Sequence, residues 1–424
     1  MKSIFKFFLL CISINGYSQP GDYEVDALVT PKRPEAIITV GGDNADVPGF
    51  TNKAIQIAIS ALPAHGGSVK LDPGIFYIKA PVKVPSNVTL IGSGDQTVLK
   101  RITGINTNFI VDADYGELKV TVKDVVDFEV GMSIQITDSI YDECWDVSIA
   151  VITDIVGNEI YFDTPLIRDY EYKRNGMVTN AGSCISVMGA QNVLIKDLMI
   201  DGNKQENDLL DGCNGGGIVI IRSKNIKVNN VKVRNFNGEG ITWQITENVS
   251  VIGCEVSGCT NMGLHPGSGS PKTQIENNNV FNNKVGLFIC WRVHHSLVKN
   301  NKFHHNSSFG ISTGHKDTDV LFEGNHIYSN GKDGVYFRAE DYKNAPHRNT
   351  FVNNVVENNG SDNGGYGFYV SGDLTELKLE NNVIRDTGTG SQKAGVFLAS
   401  GTAPVKQAGN KMNGHSIGNI IHEK

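Results

Sequence analysis

Gly217-Ile-Val-Ile, Gly240-Ile-Thr-Trp, Gly263-Leu-His-Pro, Gly286-Leu-Phe-Ile, Gly310-Ile-Ser-Thr, Gly334-Val-Tyr-Phe, Gly367-Phe-Tyr-Val and Gly395-Val-Phe-Leu are versions of one phrase, a glycine leading a short apolar strand. Their glycines are spaced by 23, 23, 23, 24, 24, 33 and 28 residues. A near-constant period of this size marks a solenoid, in which each repeat buries its apolar face only by stacking on its neighbours. A second phrase recurs between these strands, as Asn278-Asn-Val, Asn301-Lys-Phe, Asn325-His-Ile, Asn354-Val-Val and Asn382-Val-Ile. Asn tolerates left-handed backbone, and its amide can bond the Asn one repeat away, so a stack of them suits an inner corner. Strands this short, with no helical heptads between them, leave little room for leucine-rich or armadillo designs. The reading is all-β: a right-handed parallel β-helix, one coil per repeat, each coil ~4.8 Å above the last.

Outward from the repeats, the N-terminal side fits the same architecture. Ile55, Ala58, Ile59 and Leu62 follow helical spacing and predict a short helix capping the open end of the stack. Gly66-Gly-Ser-Val-Lys-Leu and Asn87-Val-Thr-Leu-Ile-Gly read as first coils. Residues 113–172 break the period with alternating segments such as Met132-Ser-Ile-Gln-Ile and Glu159-Ile-Tyr-Phe, predicting a small β insertion that overhangs the groove. The expected organisation is a signal peptide over 1–19, cap and first coils over 20–112, the insertion over 113–172, and the main β-helix over 173–424.

The leader MKSIFKFFLLCISINGYSQ has Lys2 and Lys6, an apolar run, and small or polar residues up to Gln19. That layout predicts export, with the leader removed and the product secreted or periplasmic; it is too short and wrongly flanked for a membrane span. Beyond it stand Cys144, Cys184, Cys213, Cys254, Cys259 and Cys290, whose spacing follows no compact disulfide framework and favours buried thiols. With 40% apolar and 20% charged residues the chain can bury a large core, and 47 glycines against 13 prolines suit many tight turns. Thirty-eight basic and 45 acidic side chains, a formal charge of −7, argue against a nucleic-acid partner. An anionic sugar held by a few local cations remains compatible.

Numbering each repeat from its glycine brings reactive residues into register. Position +4 holds Gln244, Gly267, Cys290, Gly314 and Arg338, and position +6 holds Arg292, Lys316 and Glu340. His265 stands at +2, Trp243 at +3, Trp291 and His315 at +5, and Asp317 at +7. Stacked coils would place Arg292, Lys316 and Glu340 on one wall within roughly 10 Å. A solvated surface is the usual fate of a single Lys or Arg. Here several ionisable groups share one face, and Gly-Leu-His-Pro-Gly-Ser-Gly-Ser and Gly-His-Lys-Asp-Thr-Asp stand where other coils carry apolar residues. His294, His295, His304 and His305 match no strong zinc spacing and read as surface residues.

The leader, cap helix, Gly-Gly-Ser-Val-Lys-Leu opening and Asn-marked coils resemble the pectate-lyase-like β-helix superfamily of secreted polysaccharide-degrading enzymes, over nearly the whole chain beyond the leader. The likeness implies the fold but not the reaction. Of the polygalacturonase phrases, Gly314-His315-Lys316-Asp317 and Phe337-Arg338-Ala339-Glu340 are weak equivalents, the acidic pair is absent, and so is the Asp-Pro-His motif of alginate epimerases. In overall style the chain resembles the ulvan oligosaccharide dehydratase type of marine bacteria, which implies loss of water from a terminal glucuronate or iduronate linked to sulfated rhamnose.

Chemistry follows from residue type. Removing the C5 proton of a uronate requires its carboxylate to be neutralised and a base to be placed on the carbon acid. Arg292 and Arg338 are the carboxylate-binding candidates. Lys316, His315 and His265 are candidates for base and acid, with Asp317 or Glu340 orienting one of them, and Trp291, Trp243 and Gln244 for substrate contact. The expected outcome is β-elimination to a 4,5-unsaturated uronate, by loss of water or by chain cleavage. One rival is a glycoside hydrolase using Asp317 and Glu340, with Asp341 in reserve. The other is a non-catalytic sugar-binding solenoid stacking Trp243, Trp291, Tyr336 and Tyr369 on its ligand. The residues name no definite cofactor, and Ca²⁺ is the one candidate. The loop from Asp201 through Glu206, Asp208 and Asp211 has oxygen ligands enough for Ca²⁺, although a solvated acidic loop is the favoured reading because no fixed ligand spacing appears.

Overall fold

The computed structural model describes residues 35–210, 212–361 and 364–423. The proposed leader lies outside them. From Ala36 onward the chain forms one compact unit built as a parallel β-helix. Each repeat contributes one strand to a Gly-led sheet and two to a second, larger assembly. The Gly-led sheet is 11-stranded, running from Val82–Lys83 through Ile185–Met188, Ile218–Ile221, Ile241–Gln244, Met262–Gly267, Val285–Phe288, Ile311–Thr313, Val335–Phe337, Gly365–Val370 and Gln392–Leu398 to Gly418–His422. The other two ladders fuse into a 22-stranded assembly because Gln191–Asp201 and Lys224–Arg234 run continuously through both. Pairing is parallel and in register, as in Ile218↔Ile241 and Ile241↔Leu264.

Stacking places like residues above one another, and the core consists of these stacks. Ile185, Ile218, Ile241, Leu264, Leu287, Ile311 and Val335 line the inside of the Gly-led sheet, all fully buried. Two corners are closed by ladders of buried Asn. In the first, the Nδ2 of Asn278, Asn301, Asn325, Asn354 and Asn382 each donates to the Oδ1 of the next member, ending at Asn410, over 2.9–3.0 Å. The second ladder runs Asn283, Asn306, Asn330, Asn359 and then Gln392. The left-handed backbone is taken by the residue before each member of the first ladder: Asn277, Asn300, Asn353 and Asn381 have φ between 54° and 57°. Thus the paired Asn divide the work, one turning the chain and the next pointing inward. Cys254 and Cys259 occupy the ladder positions one coil earlier, donating their backbone N–H to Asn278 and Asn283. Cys184, Cys254 and Cys259 are buried thiols, and none of the six described cysteines forms a disulfide.

The cap helix α1, Asn52–Ala61, starts at Thr51, whose Oγ1 accepts the Ala54 N–H, and it buries Ala54, Ile55, Ala58 and Ile59 over the first coils. The inserted sheet runs from Asn106 to Thr179, beyond the period-breaking residues 113–172 at both ends. Its antiparallel strands Asn106–Asn108, Met177–Thr179, Ser133–Thr137, Ser148–Val156, Glu159–Phe162 and Lys119–Thr121 follow in that order. A bridge between Phe109 and Val122 closes them into a small barrel. The barrel has its own core of Phe109, Val122, Phe128, Ile134, Ile152, Phe162 and Tyr170. It is anchored by Ser133 N–H on the Lys79 carbonyl and Gln135 Nε2 on the Leu209 carbonyl. With the barrel core on one face and the β-helix on the other, all five residues of Ser133–Thr137 are buried. Among the described residues no helix is long and apolar enough to cross a membrane.

Candidate active site

Alternation along each strand of the Gly-led sheet sends every second side chain outward. Register then builds one outer row from Val219, Thr242 and His265, continued by Phe288, Ser312, Tyr336, Tyr369 and Phe397. A second row follows Ile221, Gln244, Gly267 and Cys290, with Gly314 and Arg338 in the next two coils.

The centre of the first row is a buried ion pair. His265 is 4% exposed and Glu239 2%, and His265 Nδ1 lies 2.7 Å from Glu239 Oε2. Burial alone would drive the ring neutral; the Glu239 carboxylate and the Cys290 sulfur outweigh it and raise the histidine well above its ordinary value. The ring is therefore an imidazolium at neutral pH. Its Nε2 is occluded and meets no hydrogen-bond partner of acceptable geometry, and Phe288 stands edge-on 5.2 Å away. Gly212 makes room for this arrangement, since a Cβ there would sit 2.0 Å from Glu239 Oε1.

Arg338 forms the second cationic feature. Its guanidinium stacks on Phe288 at 4.5 Å, donates from Nη1 to Ser312 Oγ at 2.9 Å and from Nη2 to the Ile289 carbonyl at 2.7 Å, and pairs with Asp317 at 3.4 Å. It reaches back across these coils because Gly314 is bare: a Cβ there would lie 2.6 Å from Arg338 Nε. Gly267 does the same for Gln244, whose Oε1 would lie 2.5 Å from a Cβ at 267. The glycines in this row thus accommodate neighbouring side chains. Asp317 is wholly buried, with Oδ1 accepting the Val293 N–H and Oδ2 the Gly314 N–H. Burial pushes its carboxyl up to about 7, against the pull of Arg338 and the two backbone donors.

Beside Arg338 a second carboxylate–histidine pair faces outward. His315 Nδ1 lies 3.3 Å from Glu340 Oε2, both side chains partly exposed, and the ring packs on Trp291 with centroids 5.0 Å apart. Trp291, Arg292 and Lys316 adopt left-handed backbone at φ 63°, 63° and 60°, and all three are exposed. The Arg292 N–H donates to the His315 carbonyl, which sets Arg292, His315 and Lys316 at the rim of one groove.

The outer face of the sheet extends in both directions from these residues. Towards the cap it widens into a cleft of about 790 Å³ between the barrel and the sheet, lined by Trp145, Ile149, Met188, Val219, Ile221 and Leu210 among others. None of His265, Glu239, Arg338, His315 or Glu340 lines this cleft. Towards the C-terminus lies an aromatic platform: Phe309 stacks on Tyr336 at 4.4 Å, and Tyr366 and Tyr369 on Phe397 at 4.6 and 5.3 Å.

Two stretches of the chain, residues 134–292 and 216–384, match the family profile described as "Right handed beta helix region", together more than half of the sequence. The chain belongs to the right-handed β-helix family. A search of curated protein sequences finds no match. Solved β-helix structures superpose over most of it. The A-module of a mannuronan C-5 epimerase of Azotobacter vinelandii has a TM-score of 0.55 at 17% identity, covering 87% of this chain and 92% of that one. The polygalacturonase of Erwinia carotovora ssp. carotovora has 0.55 at 15%, covering 93% and 96%. A surface adhesin of Streptococcus pneumoniae has 0.56 at 14%, covering 92% and 93%. At these identities the likeness is one of fold.

On this β-helix several sequence expectations need correction. Trp243 is fully buried in the core, its Nε1 donating to Thr273 Oγ1, because +3 is an inward position; it stacks on no sugar. Gln244 is 1% exposed and donates to Thr242 Oγ1, which removes it from the list of substrate contacts. His265 is withdrawn from the groove surface. Asp317 orients neither His nor Lys, being committed to Arg338 and backbone donors. Glu239 was missed: it stands one residue before its glycine, outside a count that starts at the glycine. In the acidic loop, Asp201 pairs with Arg234, Glu206 accepts from Thr103 and Asn203, and Asp208 accepts from Asn106; Asp211 lies outside the described residues. Those carboxylates diverge to separate partners, and no group of three or more His, Cys, Asp or Glu is placed to hold a metal among the described residues. The described carboxylates of the loop do not converge on a Ca²⁺ site.

Proposed function

We propose that this chain is a secreted or periplasmic enzyme, its leader removed, that acts by β-elimination on a uronate of an acidic oligo- or polysaccharide and leaves a 4,5-unsaturated sugar. The observation that carries the reading is the partly exposed Glu340–His315 pair on the same outer face as Arg338. A carboxylate-oriented imidazole is suited to take a proton near neutral pH. Arg338 is partly exposed beside its bonds to the protein, so its guanidinium can also meet the uronate carboxylate, whose neutralisation makes C5 more acidic. Arg292 at the rim supplies a further cation, and Lys316 is the alternative base. Trp291 at one side and Tyr336 and Tyr369 on the platform offer faces for sugar rings.

Two neighbours in fold carry the names mannuronan C-5 epimerase and polygalacturonase, which supports an acidic polysaccharide as substrate. Within that class the preferred substrate is ulvan-like, with loss of water or chain cleavage as the outcome. The hydrolase reading is weaker, because both oxygens of Asp317 are held inside the protein.

The test is incubation with saturated uronate-terminated oligosaccharides from ulvan, alginate and pectin, following ultraviolet absorbance and product mass together. Rising absorbance with loss of one water identifies a dehydratase, and rising absorbance with shorter chains a lyase. Cleavage without absorbance overturns the elimination reading in favour of hydrolysis, and binding without turnover leaves a sugar-binding solenoid.

A further inference from the structure

The corner that follows each strand of the Gly-led sheet forms a ridge along the outer face. Ile221, Gln244, Gly267 and Cys290 stand in register, so the residues after them, Arg222, Ile245, Ser268 and Trp291, line up as well, and His315 follows in the next coil. Those four hold left-handed backbone, with φ of 49°, 55°, 46° and 63°. The conformation is costly for bulky residues, and here it leaves Arg222, Ile245 and Trp291 exposed at the corner. Four coils separate Arg222 from His315, roughly 19 Å along the axis.

Arg222 stands at the cap-ward end of this ridge, where two hollows meet. It lines the cleft of about 790 Å³ on one side and a second hollow of about 600 Å³ on the other. The charged residues lining the cleft are Lys83, Asp163 and Arg222, and those lining the second hollow are Arg222, Lys224 and Glu247. Lys83 lies 3.6 Å from Asp163, and Lys224 lies 3.3 Å from Glu247. Arg222 is left over: its backbone N–H donates to the Gln244 carbonyl, and its guanidinium enters no ion pair among the described residues. A lone exposed arginine is ordinarily just solvated. This one is held on a strained corner between two concavities and carries the unmatched charge of both.

We propose that Arg222 is the anion-binding residue of a remote sugar subsite. It holds the carboxylate or sulfate of a sugar several units from the reacting one, on a chain that runs along the ridge from His315 towards the cap. The inference rests on the reading of an acidic saccharide as substrate. A guanidinium can grip either anion through two parallel N–H bonds, and Trp291 and Ile245 offer apolar contact between the two ends of the ridge. Affinity then depends on chain length, because only a chain long enough to span these coils reaches Arg222.

The experiment is equilibrium binding of short and long saturated oligosaccharides to the wild-type, Arg222→Gln and Arg222→Lys chains, with ultraviolet absorbance followed in the same samples. Oligomers from pectin supply the carboxylate, those from carrageenan the sulfate, and malto-oligosaccharides an uncharged control. Arg222→Gln is expected to weaken binding of long anionic oligomers about 10-fold, the scale of one charge-assisted contact, and to leave short and uncharged ones nearly unchanged. Arg222→Lys should recover only part of the loss, since it keeps the charge without the fork. The anionic series that loses more identifies the anion held. An equal loss at every length overturns the proposal, as does an unchanged affinity for both anionic series in folded variants, or a wild-type chain that binds neither. Absence of unsaturated product overturns the elimination reading alone, and a length-dependent loss then still supports the subsite.

Discussion

His315 and Lys316 are sequence neighbours with different surroundings, one held by Glu340 and packed on Trp291, the other out in solvent. His315→Ala is expected to lower kcat by 10²-fold or more and Lys316→Ala by less than tenfold, measured as the rate of unsaturated product; the reverse order would assign the base to Lys316. The Glu239–His265 pair can be probed without touching either residue. Gly212→Ala puts a methyl 2.0 Å from Glu239 Oε1, at a glycine whose φ is not positive, so its effect should match that of Glu239→Gln. The pH dependence of the pair has a definite sign. The folded His265 binds its proton more tightly than the unfolded one, so the pair's stabilisation is whole below the ordinary histidine value of 6.5 and is lost as pH rises through the higher folded value. Melting temperature should therefore fall between neutral and alkaline pH, and Glu239→Gln should move that fall to lower pH. Arg338, His315 and Glu340 were legible from spacing because period and register coincide there. Glu239 was not, since nothing in sequence says that a carboxylate ahead of a repeat glycine turns outward and meets the next coil.

Elements owe their stability to stacked side chains more than to their length, most strands having three to six residues. Asn325 shows what one ladder position contributes: its Oδ1 accepts from the Asn301 N–H and Nδ2, and its own Nδ2 donates to the Val298 carbonyl and Asn354 Oδ1. Asn325→Ala strands several buried polar groups and is expected to cost about 2–4 kcal/mol. Asn353→Gly, at a left-handed corner with φ 57°, should be close to neutral. Equal losses in the two variants, measured by denaturant unfolding, would refute this division between turning and bridging Asn. The first ladder could be anticipated because one phrase repeats. The second was hidden by its irregular surroundings, and the inserted barrel showed only as a break in period, because its closure depends on a contact between Phe109 and Val122 that no local pattern encodes.

At the scale of the whole molecule, the outer face of the Gly-led sheet carries in succession the barrel-walled cleft, Arg338 with His315, and the platform of Tyr336, Tyr369 and Phe397. Tyr336→Ala and Tyr369→Ala should raise KM several-fold for long oligosaccharides and little for the shortest ones, with kcat nearly unchanged; equal effects at every chain length would separate the platform from substrate binding. The amino-acid sequence by itself determined the solenoid, its period, the cap helix and the face on which charged residues gather, because a β-helix stacks equivalent residues directly and a period in sequence becomes a row in space. Only the tertiary structure decided which members of those rows are reachable. Trp243 and Asp317 are turned inward or capped, while Glu340 meets His315. These outcomes rest on strand alternation, on bare glycines that let Arg338 and Gln244 lie across neighbouring coils, and on where burial leaves a charge without water.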